Sequence, residues 1–154
     1  ELMLDYSLEY LFSYHLRLNP LEVGGAVPDG IRASVYMTDG TVTGKKIQGK
    51  FRPACGNWFT VRPDGVAITD VRGTIETNDR ALIYLIYTGV MDLGEDGYQN
   101  FLEGNLPPTV KIRNAPRFQT AHPKYEWINR VQCISIAEAN FTIFEADFDV
   151  YALR

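Results

Sequence analysis

The feature that most constrains this chain is an alternation of apolar and polar residues with a period of two. In the segment 8–18, alternate positions carry one apolar set, which is Leu8, Tyr10, Phe12, Tyr14, Leu16 and Leu18. Because successive side chains of a strand point to opposite faces, this pattern is typical of a strand with one buried face. Strand-like segments follow at about 31–38, 41–51, 57–62, 66–77, 109–114, 131–138 and 141–153. The chain is therefore predicted to consist mainly of short strands.

Turn-forming residues separate these segments. Asp39-Gly40 predicts a hairpin, and Pro63-Asp64-Gly65 predicts a tight turn because Pro presets φ and Gly accepts a positive φ. Residues 19–30 contain two Pro and three Gly and predict a loop. The spacing of strands and turns predicts a single all-β domain over residues 1–154, either an antiparallel β-barrel or a β-sandwich.

Two segments depart from the alternation. Residues 91–108 predict a long loop of the kind that forms lids or binding loops, with a turn or two of helix at 98–103. Residues 123–130 predict one short helix that begins at a proline. Besides that turn or two of helix, the fold is expected to carry one short helix near 123–130.

The segment 81–87, Ala-Leu-Ile-Tyr-Leu-Ile-Tyr, is apolar on both faces. A strand without a polar face is covered on both sides. No long amphipathic helix is visible that would cover the second side, so the sequence predicts a partner subunit there. We expect a homodimer or a higher homo-oligomer.

Charge and composition exclude several classes of partner. The chain has 15 Lys and Arg against 19 Asp and Glu, a net charge of −4, and lacks the basic stripe of a nucleic-acid-binding protein. No apolar run reaches the roughly 20 residues of a membrane helix, and no signal peptide is visible. Cys55 and Cys133 are interpreted as thiols in a reducing compartment. These features predict a cytoplasmic protein without nucleic-acid or membrane partners.

The standard cofactor and nucleophile motifs are absent from the sequence. Neither a G-x-S-x-G turn nor a G-x-G-x-x-G turn occurs. The two histidines, His15 and His122, do not form a helical pair of metal ligands. The sequence therefore predicts neither a cofactor nor a metal.

One polar row is the first candidate for catalysis. Asp70, Arg72 and Glu76 share one face of the segment 66–77. If that face lines the barrel interior, burial raises the pKa of a carboxyl group toward that of a general acid or base, and Arg72 orients it. Tyr84, on the adjacent strand, would then polarise a carbonyl group. The alternative is a solvated outer face with ion pairs.

The segment 116–130 is the second candidate. Tyr125 and Trp127 would form an apolar wall for a ligand, while Asn129 and Arg130 would fix a polar group or a developing negative charge. The alternative is a short helix that plugs one end of the barrel, with the two aromatic residues as core anchors. Both interpretations are compatible with each other.

Three stretches carry a resemblance to a known family. They run through 38–58, 62–84 and 113–130, and the last contains the pattern P-x-F-x-T-x-x-P-x-Y-x-W-I-N-R. In these residues the chain resembles the domain of unknown function 3237 family, whose members are small bacterial and fungal β-barrel proteins. The resemblance runs from about residue 10 to residue 151. Within these stretches, Trp58, Arg113 and Phe118 are further candidates for contact with a substrate.

The chain departs from the family pattern at two informative positions. Asn57 stands where the family often has Asp, which would weaken any acid–base role at that position. Gly73 replaces an aromatic residue, which would enlarge a cavity or loosen an interface. The resemblance implies a fold, a single antiparallel β-barrel of the lipocalin-like or cyclase-like kind, more than it implies an activity.

These observations lead to two functional hypotheses. The first is a cofactor-independent enzyme, a lyase or an isomerase or cyclase, that acts by acid–base chemistry on a hydrophobic or aromatic small molecule in the barrel. The second is a barrel that binds or carries such a molecule without chemistry. An enzyme of this kind needs a buried carboxyl group with a shifted pKa, whereas a carrier needs only an apolar cavity.

Overall fold

The computed structural model describes residues 1–154, whose strands form a single sheet. The strands are β1 Leu8–Leu18, β2 Glu22–Val27, β3 Gly30–Thr43, β4 Gly49–Phe51, β5 Gly56–Val61, β6 Val66–Thr77, β7 Leu82–Asp92, β8 Thr109–Asn114, β9 Arg117–Gln119, β10 Gln132–Asn140 and β11 Glu145–Leu153. The helices are α1, Gly97–Leu102, and one 3₁₀ helix, Glu126–Arg130.

Eight of the strands close into an antiparallel barrel, as the sequence predicted. Their order around the wall is β6-β5-β3-β1-β11-β10-β8-β7, and β7 pairs with β6 to complete the circle. The closing pair is long, since its register runs from Val66 opposite Asp92 to Glu76 opposite Leu82. Closure leaves no free edge in the wall. The remaining strands are accessory: β2 pairs with β3, β4 bridges β3 and β6, and β9 pairs with β7.

The core fills the inside of the barrel. On each long strand the inward positions are buried and their neighbours are more exposed, which is the period-two pattern of a closed sheet. The β6 strand shows this clearly, because its inward side chains are the small or apolar Ala67, Thr69, Val71, Gly73, Ile75 and Thr77. Together the buried apolar residues form one cluster of 34.

One end of the barrel is packed with aromatic and aliphatic side chains. The rings of Phe12 and Phe118 meet edge to face with their centroids 5.3 Å apart. Ile128, from the 3₁₀ helix, is fully buried. The 3₁₀ helix therefore plugs this end, while the less densely filled region lies toward Leu16 and Leu18 at the other end of β1.

Some local predictions were wrong. Asp39-Gly40 does not form a hairpin, since β3 continues through it to Thr43. Gly40 instead gives room to the core: a Cβ there would lie 2.7 Å from both Leu16 and Phe51. The predicted loop at 19–30 contains the strand β2, which pairs with β3.

The helices also differ from expectation in extent. Within the long segment 91–108 the structure forms α1 over 97–102, close to the predicted 98–103. The helix expected over 123–130 is a 3₁₀ helix that begins only at Glu126.

Candidate functional site

A small cavity lies inside the barrel, with a volume of about 40 Å³. Of the 16 residues that line it, 13 are hydrophobic. The lining residues are Leu16, Leu18, Val35, Met37, Asn57, Phe59, Thr69, Val71, Tyr87, Met91, Ile112, Asn114, Ala139, Phe141, Ala146 and Phe148. Ligand sites in barrels have this composition, with a mainly apolar lining and a few placed polar groups.

The cavity opens toward one end of the barrel. Leu18, Met37 and Phe141 line it and are each partly exposed, whereas most of the other lining residues are buried. These three side chains come from β1, β3 and the turn between β10 and β11. They form the mouth of the cavity, and methionine is a flexible side chain suited to such a position.

Asn114 is the most unusual polar group on the lining. It is only 6% exposed, and its Oδ1 accepts a hydrogen bond of 2.9 Å from the Thr69 hydroxyl. Its Nδ2 has no hydrogen-bond partner. An unpaired buried amide of this kind destabilises a fold by about 1–3 kcal/mol. Its presence is therefore a feature that needs an explanation.

A glycine makes room for the Asn114 side chain. Gly89 on β7 is the cross-strand partner of both Thr69 on β6 and Asn114 on β8. A Cβ at Gly89 would overlap with Asn114 Oδ1 and with the Arg113 carbonyl oxygen. The carboxamide thus reaches Thr69 across a strand position that has no side chain.

Thr69 and Asn114 have a third buried polar neighbour on the next strand. Ser135 on β10 is the cross-strand partner of Asn114, and it is 1% exposed. Its Oγ has no hydrogen-bond partner either. Both unpartnered buried side-chain atoms of the protein therefore lie at the same level of the barrel wall. We use the name polar belt for Thr69, Asn114 and Ser135.

A pair of buried tyrosines lies beside the polar belt. The Tyr14 hydroxyl donates to the Tyr87 hydroxyl across 3.4 Å, and Tyr87 lines the cavity. Burial raises the pKa of both hydroxyls well above their usual range. Both groups are therefore neutral donors at physiological pH rather than bases.

Position 57 also belongs to the cavity. The Asn57 Oδ1 accepts a hydrogen bond of 3.0 Å from the backbone N–H of Asp70. The family pattern often has Asp at this position. Asn57 therefore places a neutral amide on the cavity lining where a carboxylate would have supported acid–base chemistry. No carboxylate lines the cavity of this chain.

The polar row lies on the outside of the barrel and does not line the interior, which was the condition for its catalytic role. Since the inward positions of β6 are the odd-numbered ones, the even-numbered Asp70, Arg72 and Glu76 lie on the outer face. Arg72 is exposed, and Glu76 forms an ion pair of 3.2 Å with Arg52 on the surface. The alternative interpretation, an outer face with an ion pair, describes this geometry.

The other predicted catalytic residues are also on the outside. Tyr84 is the cross-strand partner of Thr74 on the outer face of β7, so the predicted adjacency of the two strands is correct but the face is external. Tyr84 and Asn129 line one shallow external depression. Trp127, Asn129 and Arg130 line a neighbouring one.

The remaining predicted substrate contacts do not reach the cavity. Phe118 and Tyr125 are buried in the plugged end of the barrel. Arg113 is exposed on β8, and Trp58 packs edge to face against Tyr36 on the outside of β5, with ring centroids 5.8 Å apart. Trp127 is partly buried beneath the Lys46 ammonium group, which lies 5.2 Å from the ring centroid.

Tyr125 has a structural role at the plugged end. Its hydroxyl donates a 2.7 Å hydrogen bond to Asp79, which also accepts bonds from Thr77 and Lys124. The bond from Thr77, followed by those from Tyr125 and Lys124, holds the pKa of Asp79 well below its usual range. The Asp79 carboxylate thus links the residues that precede the 3₁₀ helix to the turn after β6.

Thr69, Tyr87 and Asn114 were not predicted as site residues, although the sequence carries a signal for Thr69 and Asn114. Thr69 is a polar residue on the otherwise small or apolar face of 66–77, and Asn114 follows the inward-facing Val110 and Ile112 at the same spacing. A polar residue on an apolar face marks either a satisfied core group or a site. Each of these residues could be recognised in the sequence as an interruption of its own strand's apolar face. That they lie together in the barrel could not be read from the sequence.

The structure brings together no group of three or more His, Cys, Asp or Glu side chains that could hold a metal ion. Neither of its helices has the length and apolar character needed to cross a membrane.

A closed eight-stranded antiparallel barrel with a small, largely apolar cavity defines this protein as a member of the small β-barrel class. Its sequence matches the family described as Protein of unknown function (DUF3237) over residues 6–153. The chain belongs to that family, as the sequence motifs predicted.

Known relatives agree with this assignment. A UPF0311 protein of Rhodopseudomonas palustris (strain TIE-1) is 27% identical over 122 residues, which cover 78% of this chain and 80% of the relative. A β-barrel-like protein of Acinetobacter baumannii AYE has a similar structure, with a TM-score of 0.83 and 29% identity over 99% of this chain and 98% of that one.

Two further structures share the fold. A protein of unknown function from Clostridium acetobutylicum aligns with a TM-score of 0.87 and 23% identity, covering 97% of this chain and 100% of that chain. A protein from Penicillium herquei, described as an enzyme, aligns with a TM-score of 0.70 and 21% identity, covering 100% of this chain and 98% of that chain. At these identities the likeness concerns the fold.

Proposed function

We propose that this protein binds a small, mainly hydrophobic molecule inside the barrel. The observation that carries the proposal is the cavity that opens between Leu18, Met37 and Phe141 and has a predominantly apolar lining. Transfer of apolar surface from water into such a lining is favourable by about 25 cal/mol per Å². The few polar groups on the lining would orient the ligand rather than provide most of the affinity.

The chemistry of the lining favours binding over acid–base catalysis by a carboxylate. The cavity residues include no Asp, Glu, His, Lys or Arg. Asp70 and Glu76, the predicted acid–base groups, lie on the outer face. A carrier needs no titrating group, so the composition of the cavity matches the binding hypothesis more closely.

Filling the cavity should abolish binding. Ala139 lines it, and Ala139→Leu adds three carbon atoms to a space of about 40 Å³. We expect this variant to lose at least about tenfold in affinity for an environment-sensitive apolar fluorophore, because overpacking a site of this size excludes the ligand. The measurement is a fluorescence titration with a naphthalene-based probe, followed by displacement with unlabelled small aromatics.

The matched control is Ala26→Leu, the same substitution on the exposed strand β2. This variant should bind the probe like the wild type. Equal affinities for all three proteins would contradict binding in the barrel interior, as would a wild type that does not bind at all.

A lyase, isomerase or cyclase is the second candidate. Two observations favour it: the structurally similar protein from Penicillium herquei is described as an enzyme, and Tyr87, whose buried hydroxyl is neutral, lines the cavity. Catalysis would then use Tyr87 as a hydrogen-bond donor that stabilises developing charge on oxygen. This role replaces the one assigned to Tyr84 and needs no carboxylate in the cavity.

We also propose that a second copy of the chain covers the outer face of β7. Leu82, Tyr84 and Val90 are all exposed on this face, and Leu82 is 54% exposed. Leu82 and Tyr84 are neighbours on this face at one end of β7, and contiguous exposed apolar side chains are typical of an interface. The inner face of the same strand is already buried in the barrel, so only the outer face is available for a partner.

Light scattering at micromolar concentration tests this interface. We expect the mass of a dimer or higher oligomer, and Leu82→Lys should shift it toward the monomer because a charge would be buried at the contact. Leu102→Lys is the control, since Leu102 is 47% exposed but lies on α1. A monomeric wild type would overturn the interface.

A further inference from the structure

We infer that the Asn114 carboxamide and the Tyr87 hydroxyl together bind one hydrogen-bond-accepting oxygen, so that the ligand is a small, uncharged, largely apolar carbonyl compound. This inference rests on the proposed function and deepens it. It names the chemical group that the cavity recognises, which the apolar lining alone does not specify.

The first donor is fixed in place by the fold. The Thr69 hydroxyl donates a hydrogen bond of 2.9 Å to Asn114 Oδ1, so the amide group has a defined orientation. Its Nδ2 remains without a partner in a side chain that is 6% exposed and lines the cavity. A position selected for stability alone favours an apolar residue, since an unpaired buried amide is costly.

The second donor is the hydroxyl of Tyr87. This oxygen accepts the hydrogen bond from Tyr14, which leaves the hydroxyl hydrogen of Tyr87 free for another acceptor. Tyr87 lies two residues before Gly89, the cross-strand partner of Asn114. Tyr87 and Asn114 are therefore diagonal neighbours on the inner face of the barrel, and both line the cavity.

Two neutral donors without a cation select a neutral acceptor. A carboxylate or phosphate would bring an unpaired charge into an apolar cavity, which is strongly unfavourable. A carbonyl oxygen has two lone pairs and can accept from both donors. It also brings no hydrogen of its own that would need a partner, unlike an alcohol or an amide.

The size of the cavity sets where the rest of the ligand lies. A volume of about 40 Å³ holds about three water molecules at roughly 10–15 Å³ each. It would therefore hold the carbonyl end, with the apolar remainder between Leu18, Met37 and Phe141 at the mouth. A compact aromatic ketone fits this division.

A pair of isosteric probes tests the inference. Acetophenone and α-methylstyrene have the same shape and differ only in a carbonyl oxygen or a methylene group. We expect the wild-type protein to bind acetophenone about tenfold more tightly in competition with the fluorophore, as one or two hydrogen bonds imply. The carbonyl stretch of ¹³C-labelled acetophenone should shift to lower frequency on binding.

Variants of the two donors test whether the preference for acetophenone depends on these donors or on the apolar cavity as a whole. Asn114→Leu and Tyr87→Phe should each reduce the preference for acetophenone to less than about threefold while binding of α-methylstyrene is retained. Because Asn114→Leu leaves the Thr69 hydroxyl unpaired, the double variant Thr69→Val with Asn114→Leu provides a second, better matched apolar replacement.

The outcomes distinguish the inference from the proposed function. If neither probe binds, the proposed function fails. If both probes bind the wild type equally and the carbonyl band does not move, the cavity binds ligands but the two donors hold only water, and the inference alone is overturned. A preference that survives in the double variant and in Tyr87→Phe would also overturn it.

Discussion

Gly89→Ala is expected to lower the free energy of unfolding by about 3 kcal/mol, which corresponds to a fall in Tm of roughly 6–12 °C for a domain of this size. The backbone of Gly89 is extended, so the cost does not come from a strained φ angle. It comes from contact: an added Cβ would overlap with the Arg113 carbonyl oxygen and Asn114 Oδ1, and would lie 2.7 Å from Asn114 Cα. Two of these atoms belong to backbone, which cannot move aside as a flexible side chain can.

The same substitution should also damage the cavity. To accommodate the methyl group, β7 and β8 must separate and the Asn114 carboxamide must rotate away from Thr69. We therefore expect Gly89→Ala to lose the preference for a carbonyl ligand as well as stability. Thermal and urea denaturation measure the first effect, and competition between the isosteric probes measures the second.

Gly24→Ala provides the matched control. Gly24 lies on the accessory strand β2, and the nearest atom to an added Cβ there is the Arg32 carbonyl oxygen at 3.3 Å. Its effect on the free energy of unfolding should be within about 1 kcal/mol. Equal stabilities of the two variants would show that β7 and β8 tolerate a side chain at position 89, contrary to the packing described.

The second large effect is expected for Phe118→Ala, which should cost about 3–5 kcal/mol of stability. Phe118 is 1% exposed and packs edge to face on Phe12 in the plugged end of the barrel. It comes from β9, a strand of three residues that pairs only with β7. Loss of this ring therefore leaves a cavity in the core and weakens the anchor of a short element.

The loss of stability in Phe118→Ala should not be accompanied by a loss of affinity for the apolar fluorophore. Phe118 does not line the ligand cavity, so the folded fraction of Phe118→Ala should bind the apolar fluorophore with wild-type affinity. Phe141→Ala provides the contrasting variant, because Phe141 is partly exposed and lies at the mouth. It should lose only about 1 kcal/mol of stability but bind the probe more weakly.

Denaturant titrations and fluorescence titrations at a temperature where both variants are folded separate these effects. If Phe118→Ala lost probe affinity while Phe141→Ala kept it, the ligand would bind at the plugged end. That outcome would restore Phe118, Tyr125 and Trp127 as ligand contacts, as the sequence motifs had indicated.

Much of the architecture follows from local sequence patterns. The alternation in β1 and β6 predicted strands with accurate limits, and the pattern around Pro116 to Arg130 identified the family. Local signals were less reliable where packing competes with them. Asp39-Gly40 has the chemistry of a hairpin turn, yet β3 continues there because both residues pair with β1, opposite Arg17 and Leu16.

The face of β6 shows where pattern analysis reaches its limit. Its odd-numbered side chains are small or apolar, and its even-numbered ones include Asp70, Arg72 and Glu76. A barrel can present a polar row either to solvent or to a polar lumen, and the alternation is the same in both cases. Only the closed sheet, with its interior filled by the odd-numbered side chains, assigns the row to the outside.

The sequence by itself determined an all-β fold, because alternation and turns are local properties that each strand carries alone, and the family motifs indicated that this fold is a barrel. The tertiary structure decided where the cavity and its polar groups lie. Thr69 and Asn114 are 45 residues apart and meet across Gly89 only because β6, β7 and β8 pair in one register. A shift of one residue in either pairing would turn these side chains to the opposite face. Such a site is a property of long-range register, which no single segment of the sequence encodes.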